Sequence, residues 1–305
     1  MSNEKLLASS NGRTLSYEDA GLTTSPLVVL FFRGTLTVGQ AKLSPVLASL
    51  GAHYISPTLP GYGNTSSPMN GVSYATTIQS DMTALLGHLH PNMTGMQLYI
   101  GGGSFGTIAA QILYGAPFDA FPAGRHLKGL LLLGAFPPFR DDEEKGFVYS
   151  SSMTWGNYIT LGPKGLRPLY VNLSLIRWET EKEKYAAWRE RKGYEVGQLE
   201  REMAQMNRRS VEKTWEGFLS TSEVLHGNWG WGGKSFEDLD EEHTAGRHVF
   251  IIAATEDDLS PGAWGEYLVT KYNNARIKWV EGSHIAVTFS MDDIWADFMK
   301  YCAYV

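Results

Sequence analysis

A chain of 305 residues, 43% hydrophobic and 19% charged, has the make-up of a globular protein built as one large domain, or as a core domain with an insertion. That composition excludes a disordered chain, a collagen-like repeat and a coiled coil, and a chain this long buries roughly 75% of its unfolded surface without covalent staples. The 26 Lys and Arg are outnumbered by 32 Asp and Glu, a formal charge of −6 that argues against nucleic acid as a partner, and the one cysteine, Cys302, excludes an internal disulfide or a multi-cysteine metal site.

The first residues hold no apolar stretch of signal-peptide length. The longest apolar runs, 27–32 and 130–135, are too short to span a bilayer. A cytoplasmic protein without a membrane partner is therefore expected. Asn11-Gly12 is a two-residue hairpin signal, followed by period-two alternation over 13–17. Residues 27–32 form a continuous apolar run, as in a strand buried on both faces, and end at Arg33-Gly34-Thr35. A shorter strand over 53–57 leads into the turn-rich loop 59–65. Residues 73–90 read as a helix, with Ile78, Met82, Leu85, Leu86 and Leu89 on one side. Further strands are expected over 98–100, 129–133, 248–253 and 276–280, and a last helix over about 291–301. Buried strands alternating with helices predict an α/β fold with a mostly parallel central sheet flanked by helices.

One stretch differs. Residues 176–216 carry 10 Lys or Arg and 9 Asp or Glu, about three times the charge density of the rest. They still keep apolar stripes at helical spacing: Leu199, Met203 and Met206, then Val211, Trp215, Phe218 and Leu219. Strand signals stop at Leu133 and resume at His248. The expected organisation is a core of 1–136 and 246–305 with a helical insertion over 137–245; the acidic run 237–242 reads as a solvated linker.

Gly102-Gly-Ser-Phe-Gly106 fits G-x-S-x-G, with an apolar strand before it and helical spacing after it. A serine on such a strained turn stands above the sheet edge, beside free N–H groups at the start of the next helix. The competing reading is a glycine-rich turn that binds phosphate. It lacks the P-loop Lys-Ser/Thr and the acidic residue of a dinucleotide fingerprint. A serine hydroxyl needs a base, and the base needs an orienting group. Of the last three histidines, His243 falls in the linker and His248 opens a strand. His284 lies in a loop after the strand 276–280, at the sheet edge where open α/β folds bind ligands. Glu256, Asp257 and Asp258 follow the strand 248–253 and compete for the orienting role. Such a cluster can also hold a divalent cation, but no metal-ligand spacing supports one; no metal and no cofactor are expected.

These features together resemble the α/β-hydrolase superfamily, in its serine-nucleophile branch with a helical cap. The resemblance covers the hairpin, the Arg33 loop, the loop 59–63, the nucleophile elbow, the acid loop and the final histidine. It implies an α/β-hydrolase fold with 137–245 as a cap or lid. It further implies a catalytic triad of Ser104, His284 and an acid. The family's acid loop reads G-x-x-D-x-x-x-P; the similar stretch 254–261 selects Asp257, with Asp258 as the alternative. The oxyanion hole would use the N–H groups of Thr35 and Phe105. Arg33 replaces the family's usual histidine before Gly34, and is expected either to pair with a buried carboxylate or to contact an anionic substrate group.

The implied activity is that of a serine esterase: cleavage of a small to medium apolar or aromatic ester or lactone through an acyl-enzyme. The cap holds six of the nine tryptophans, and Trp229 and Trp231, in a glycine-rich segment, are candidates with Arg33 and Gly34 for substrate binding. The other tryptophans read as packing. Two alternatives stand beside this reading. One is a non-hydrolytic member of the fold, a biosynthetic cyclase or a small-molecule receptor. The other is an aminopeptidase resembling proline iminopeptidases, for which Glu143, Glu144, Glu179 and Glu181 could bind the free amine. The expected partner is a small-molecule substrate; nothing in the sequence sets an oligomeric state.

Overall fold

The computed structural model describes residues 3–9, 12–138, 182–229 and 239–303. Eight strands form one sheet: β1 (Lys5–Ala8), β2 (Thr14–Gly21), β3 (Leu27–Phe32), β4 (His53–Pro57), β5 (Gln97–Gly103), β6 (Leu127–Leu133), β7 (His248–Ala254) and β8 (Ala275–Val280), in the order β1-β2-β4-β3-β5-β6-β7-β8. The β1–β2 and β2–β4 pairs are antiparallel and every later pair is parallel, so the predicted mostly parallel sheet is present. Asn11 of the expected hairpin lies outside the described residues. The turn itself closes through Gly12 N–H to Ser9 O (3.0 Å) and Ser9 N–H to Arg13 O (2.8 Å).

The helices are α1 (Pro45–Ser49), α2 (Tyr74–Leu89), α3 (Gly106–Tyr114), α4 (Lys182–Lys192), α5 (Gln198–Val211), α6 (Glu216–Leu219), α7 (Thr221–His226), α8 (Glu241–Thr244), α9 (Gly262–Lys271), α10 (Ala286–Phe289) and α11 (Met291–Cys302). No helix among the described residues is long and apolar enough to cross a membrane. Strand alternation divides the core into two layers. Val28, Leu30, Phe32 and Ile100 face Ile78 and Met82 of α2 and Ile108 and Ile112 of α3. Val29, Phe31 and Tyr99 face the opposite layer, with Leu47 of α1 and Trp295 and Phe298 of α11. Burial on both faces is why these strands read as apolar runs rather than alternating ones.

Helices α4 to α8 all lie between β6 and β7, inside the stretch read as an insertion. Trp188 of α4 packs against Leu199, and against Ile285 and Phe289 beside the β8 loop. Of the acidic run, Asp240, Glu241 and Glu242 are exposed, as a solvated stretch requires, but Glu241 and Glu242 open the short helix α8. Asp240 caps α8 by accepting from His243 N–H (3.1 Å), and His243 is buried. Its ring stacks on Phe118 at 4.1 Å and bridges Asp240 Oδ1 (2.6 Å) and Ala116 O (3.0 Å). A capping aspartate and a stacking partner more than a hundred residues away dock His243, just after the run.

Candidate active site

β5 ends at Gly103 and α3 begins at Gly106, so the chain must reverse within two residues. Ser104 does this with φ of 53°, a left-handed conformation that strains any residue with a Cβ. The strained turn is held from both sides. Ser104 N–H donates to Leu133 O (2.7 Å), while Thr107 donates to Ser104 O through its N–H (2.9 Å) and its hydroxyl (2.6 Å). The flanking glycines are required by close approach. A Cβ on Gly102 would stand 2.4 Å from Gly106 O, and one on Gly106 2.4 Å from Phe32 O. The G-x-S-x-G spacing therefore reports a helix start pressed against the ends of β5 and β3.

Ser104 lines a cavity of about 250 Å³ at the carboxyl edge of the sheet, together with Arg33, Gly34, Thr35 and His284. The β3 loop lies close over the elbow: a Cβ on Gly34 would be 3.2 Å from Ser104 Cβ. Phe105, the next residue, is buried against Tyr74, at the N-terminal end of α3 where backbone N–H groups lack intrahelical acceptors. The Thr35 hydroxyl is tied to Tyr62 Oη at 2.8 Å. Burial pushes the Tyr62 phenol up to about 12, so it stays neutral at ordinary pH. The turn-rich loop 59–63 thus acts as a brace for the Thr35 loop, a link no local pattern reveals.

His284 follows β8 and Asp257 follows β7, and the two meet. His284 Nδ1–H donates to Asp257 Oδ2 at 2.7 Å. The other oxygen, Oδ1, accepts from the N–H groups of Leu259 (2.9 Å) and Ser260 (2.8 Å). Asp257 is buried, whereas Asp258 is half-buried and Glu256 exposed. Gly134, with φ of +56°, passes against this pair: a Cβ there would lie 2.7 Å from His284 Cε1 and 3.5 Å from Asp257 Oδ2. Among the described residues no hydrogen bond joins Ser104 to His284. The serine and the His–Asp pair are assembled at one cavity, with the serine–histidine contact still open.

Other expected residues fall elsewhere. Trp229 is buried in the larger core layer, its indole N–H donating to Val224 O (3.3 Å), outside the lining of this cavity. Trp231 and the four cap glutamates lie outside the described residues. Conversely, Met203 and Asn207, one turn apart on α5, line the cavity, as do Met291 and Thr288. The apolar stripe of α5 was legible, but not the surface it would cover. Arg33 makes no hydrogen bond or ion pair among the described residues; its guanidinium is held below its usual range by burial, opposed by Tyr54, Glu18, Tyr194 and Glu202.

No protein-family model matches the chain, and no curated protein matches it in sequence. Solved structures do resemble it over nearly its whole length. A bromoperoxidase from Bacillus anthracis is 17% identical with a TM-score of 0.61, covering 97% of this chain and 99% of its own. A structure described with the carboxylesterases of Nitrososphaera gargenis is 17% identical with a TM-score of 0.60, covering 98% and 99%. An esterase from Exiguobacterium antarcticum is 16% identical with a TM-score of 0.57, covering 98% and 99%. The chain has the fold these proteins share, the α/β-hydrolase fold.

Proposed function

We propose that this chain is a serine hydrolase that cleaves a small to medium carboxylic ester or lactone through an acyl-enzyme on Ser104. The observation that carries the reading is the 2.7 Å contact of His284 Nδ1 with Asp257, at the same cavity as a serine held at φ of 53°. The esterase and carboxylesterase named among the similar structures support it as analogy of fold.

Ser104 Oγ attacks the carbonyl carbon while His284 Nε2 takes its proton. Asp257 holds the imidazole with Nδ1–H outward, which leaves Nε2 as the base, and stabilises the imidazolium. The two backbone N–H bonds to Asp257 Oδ1 fix the carboxylate so that its second oxygen is committed to the ring. The N–H groups of Thr35 and Phe105 receive the developing oxyanion, each worth roughly 2.7–4 kcal/mol of barrier where such donors have been removed. His284 then protonates the leaving alcohol, and water repeats the sequence in reverse to free the acid. The Ser104–His284 hydrogen bond forms with substrate in place, as catalytic contacts commonly tighten only in the complex. The insertion 137–245 serves as the cap, and Met203 and Asn207 bring one of its helices to the cavity.

The test is a panel of esters, lactones and amides with Ser104→Ala, His284→Ala, Asp257→Asn and Asp258→Asn. Ser104→Ala and His284→Ala should abolish measurable turnover of the preferred ester, and Asp257→Asn should cost on the order of 10⁴-fold in kcat. Asp258→Asn should retain most activity. Turnover that persists in folded Ser104→Ala protein would overturn the reading.

A further inference from the structure

Arg33 directly follows β3 and lines the cavity with Phe31 and Ser104. Among the described residues of that lining it is the one cationic side chain, and no carboxylate is present to pair with it. The carboxylates it senses are engaged elsewhere. Glu18 Oε2 accepts from Ala41 N–H (3.2 Å), and Glu202 is gripped by Lys42 and by Gln198 (3.1 Å). Among the described residues the alternative, pairing with a buried carboxylate, is therefore not realised within ion-pair distance. The same cavity lining includes the apolar side chains of Leu36, Leu133, Met203 and Val287. A guanidinium loses no proton at ordinary pH, so the half-buried Arg33 brings a permanent charge to the cavity wall. A planar fork of donors in such a place is preset for a carboxylate, which it binds bidentately.

We propose that Arg33 is the specificity-determining residue of this site, and that the substrate is an ester or lactone carrying a carboxylate a few bonds from the scissile carbonyl. The proposal rests on the hydrolase reading and narrows it: an otherwise apolar substrate with one anionic end. The short reach follows from the cavity, about 250 Å³, which holds both Arg33 and Ser104. The chemistry of the reaction is unchanged; the carboxylate takes no part in bond making and is released on the product acid.

The experiment compares the monoethyl ester of glutaric acid with ethyl valerate, in which a methyl replaces the carboxylate, by titrating the acid released. It uses the full-length protein, Arg33→Met and Arg33→Lys, with thermal melts to establish that each is folded. The native protein should prefer the anionic ester in kcat/KM by about 10- to 100-fold, the range expected for charge-assisted hydrogen bonds. Arg33→Met should lose that preference mainly through a higher KM for the anionic ester, and Arg33→Lys should keep part of it. A ratio at or below one in the native protein, or one that survives in folded Arg33→Met, would overturn the inference. Calorimetric titration with glutarate separates the two readings. Arg33-dependent glutarate binding without hydrolysis of any ester would leave the carboxylate site standing and remove the hydrolase. Ser104-dependent hydrolysis of both esters alike, without glutarate binding, would do the reverse.

Discussion

Gly134 shows how a single backbone position sets the chemistry of its neighbours. It carries no functional group, yet its φ of +56° turns the chain away just where His284 and Asp257 meet. Gly134→Ala would drive a Cβ to 2.7 Å from His284 Cε1, so the ring must tilt or the β6 loop must shift. We expect a folded protein that loses at least about tenfold in kcat, because small displacements of a catalytic base are costly; a variant with native kcat would mean the ring has room to yield. The positions of Ser104 and His284 at one cavity were legible because their cues are local: strand, glycine turn and helix for one, a loop after a strand for the other. The choice between Asp257 and Asp258 was only half legible. In the structure His284 Nδ1 meets Asp257 Oδ2, while Leu259 and Ser260 N–H groups fold back onto Asp257 Oδ1. Gly134 and Tyr62 gave no signal, since each acts on a residue distant in sequence.

At the scale of elements, the antiparallel edge of the sheet adds buried charge to its apolar packing of Leu15, Tyr17 and Ile55. Arg13, just before β2, pairs with Asp81 of α2 and donates to Ser66 O and to Ser67 O (3.1 Å). Both partners are buried, and burial pushes the Asp81 carboxyl up against the pull of Arg13. Arg13→Met should destabilise the fold by about 3–5 kcal/mol in denaturant titrations, because it strands a buried carboxylate. Adding Asp81→Leu should restore much of that loss; no recovery would mean that the contacts of Arg13 with Ser66 and Ser67 matter more than the pair. A second polar chain crosses β2 and β4. His53 Nε2–H donates to Asp19 Oδ2 (3.3 Å) and His90 Nε2–H donates to His53 Nδ1 (2.8 Å), with Lys5 on Asp19 at 2.6 Å. Burial holds both histidines below their usual range, outweighing the pull of Asp19 on His53, while His53 also lowers His90. The unfolded chain then takes up protons first, so this contribution to stability is present above about pH 6.5 and is lost as pH falls through the folded values. Melting temperature should drop between pH 8 and 5, and His53→Gln should flatten that slope; an unchanged slope would assign the acid sensitivity elsewhere. The strands and long helices were readable from periodicity, whereas these cross-element polar chains were not, because pairing partners lie tens of residues apart.

Across the whole molecule, the parallel sheet does one thing for function: it delivers the loops after β3, β5, β6, β7 and β8 to the same edge. Thr35, Ser104, Gly134, Asp257 and His284 come from these five loops, and their convergence follows from strand direction rather than from any one motif. The alternation of buried strands and helices announced this architecture, but the order β4-β3-β5 was hidden, since it depends on which apolar runs pair at long range. The functional account stands on Ser104 being an armed nucleophile, and the most direct test is labelling with a fluorophosphonate followed by intact mass measurement, in parallel with Ser104→Ala. The account predicts one adduct on the native protein and none on the variant. A folded native protein that takes up no label, or a variant that is labelled equally, would contradict it.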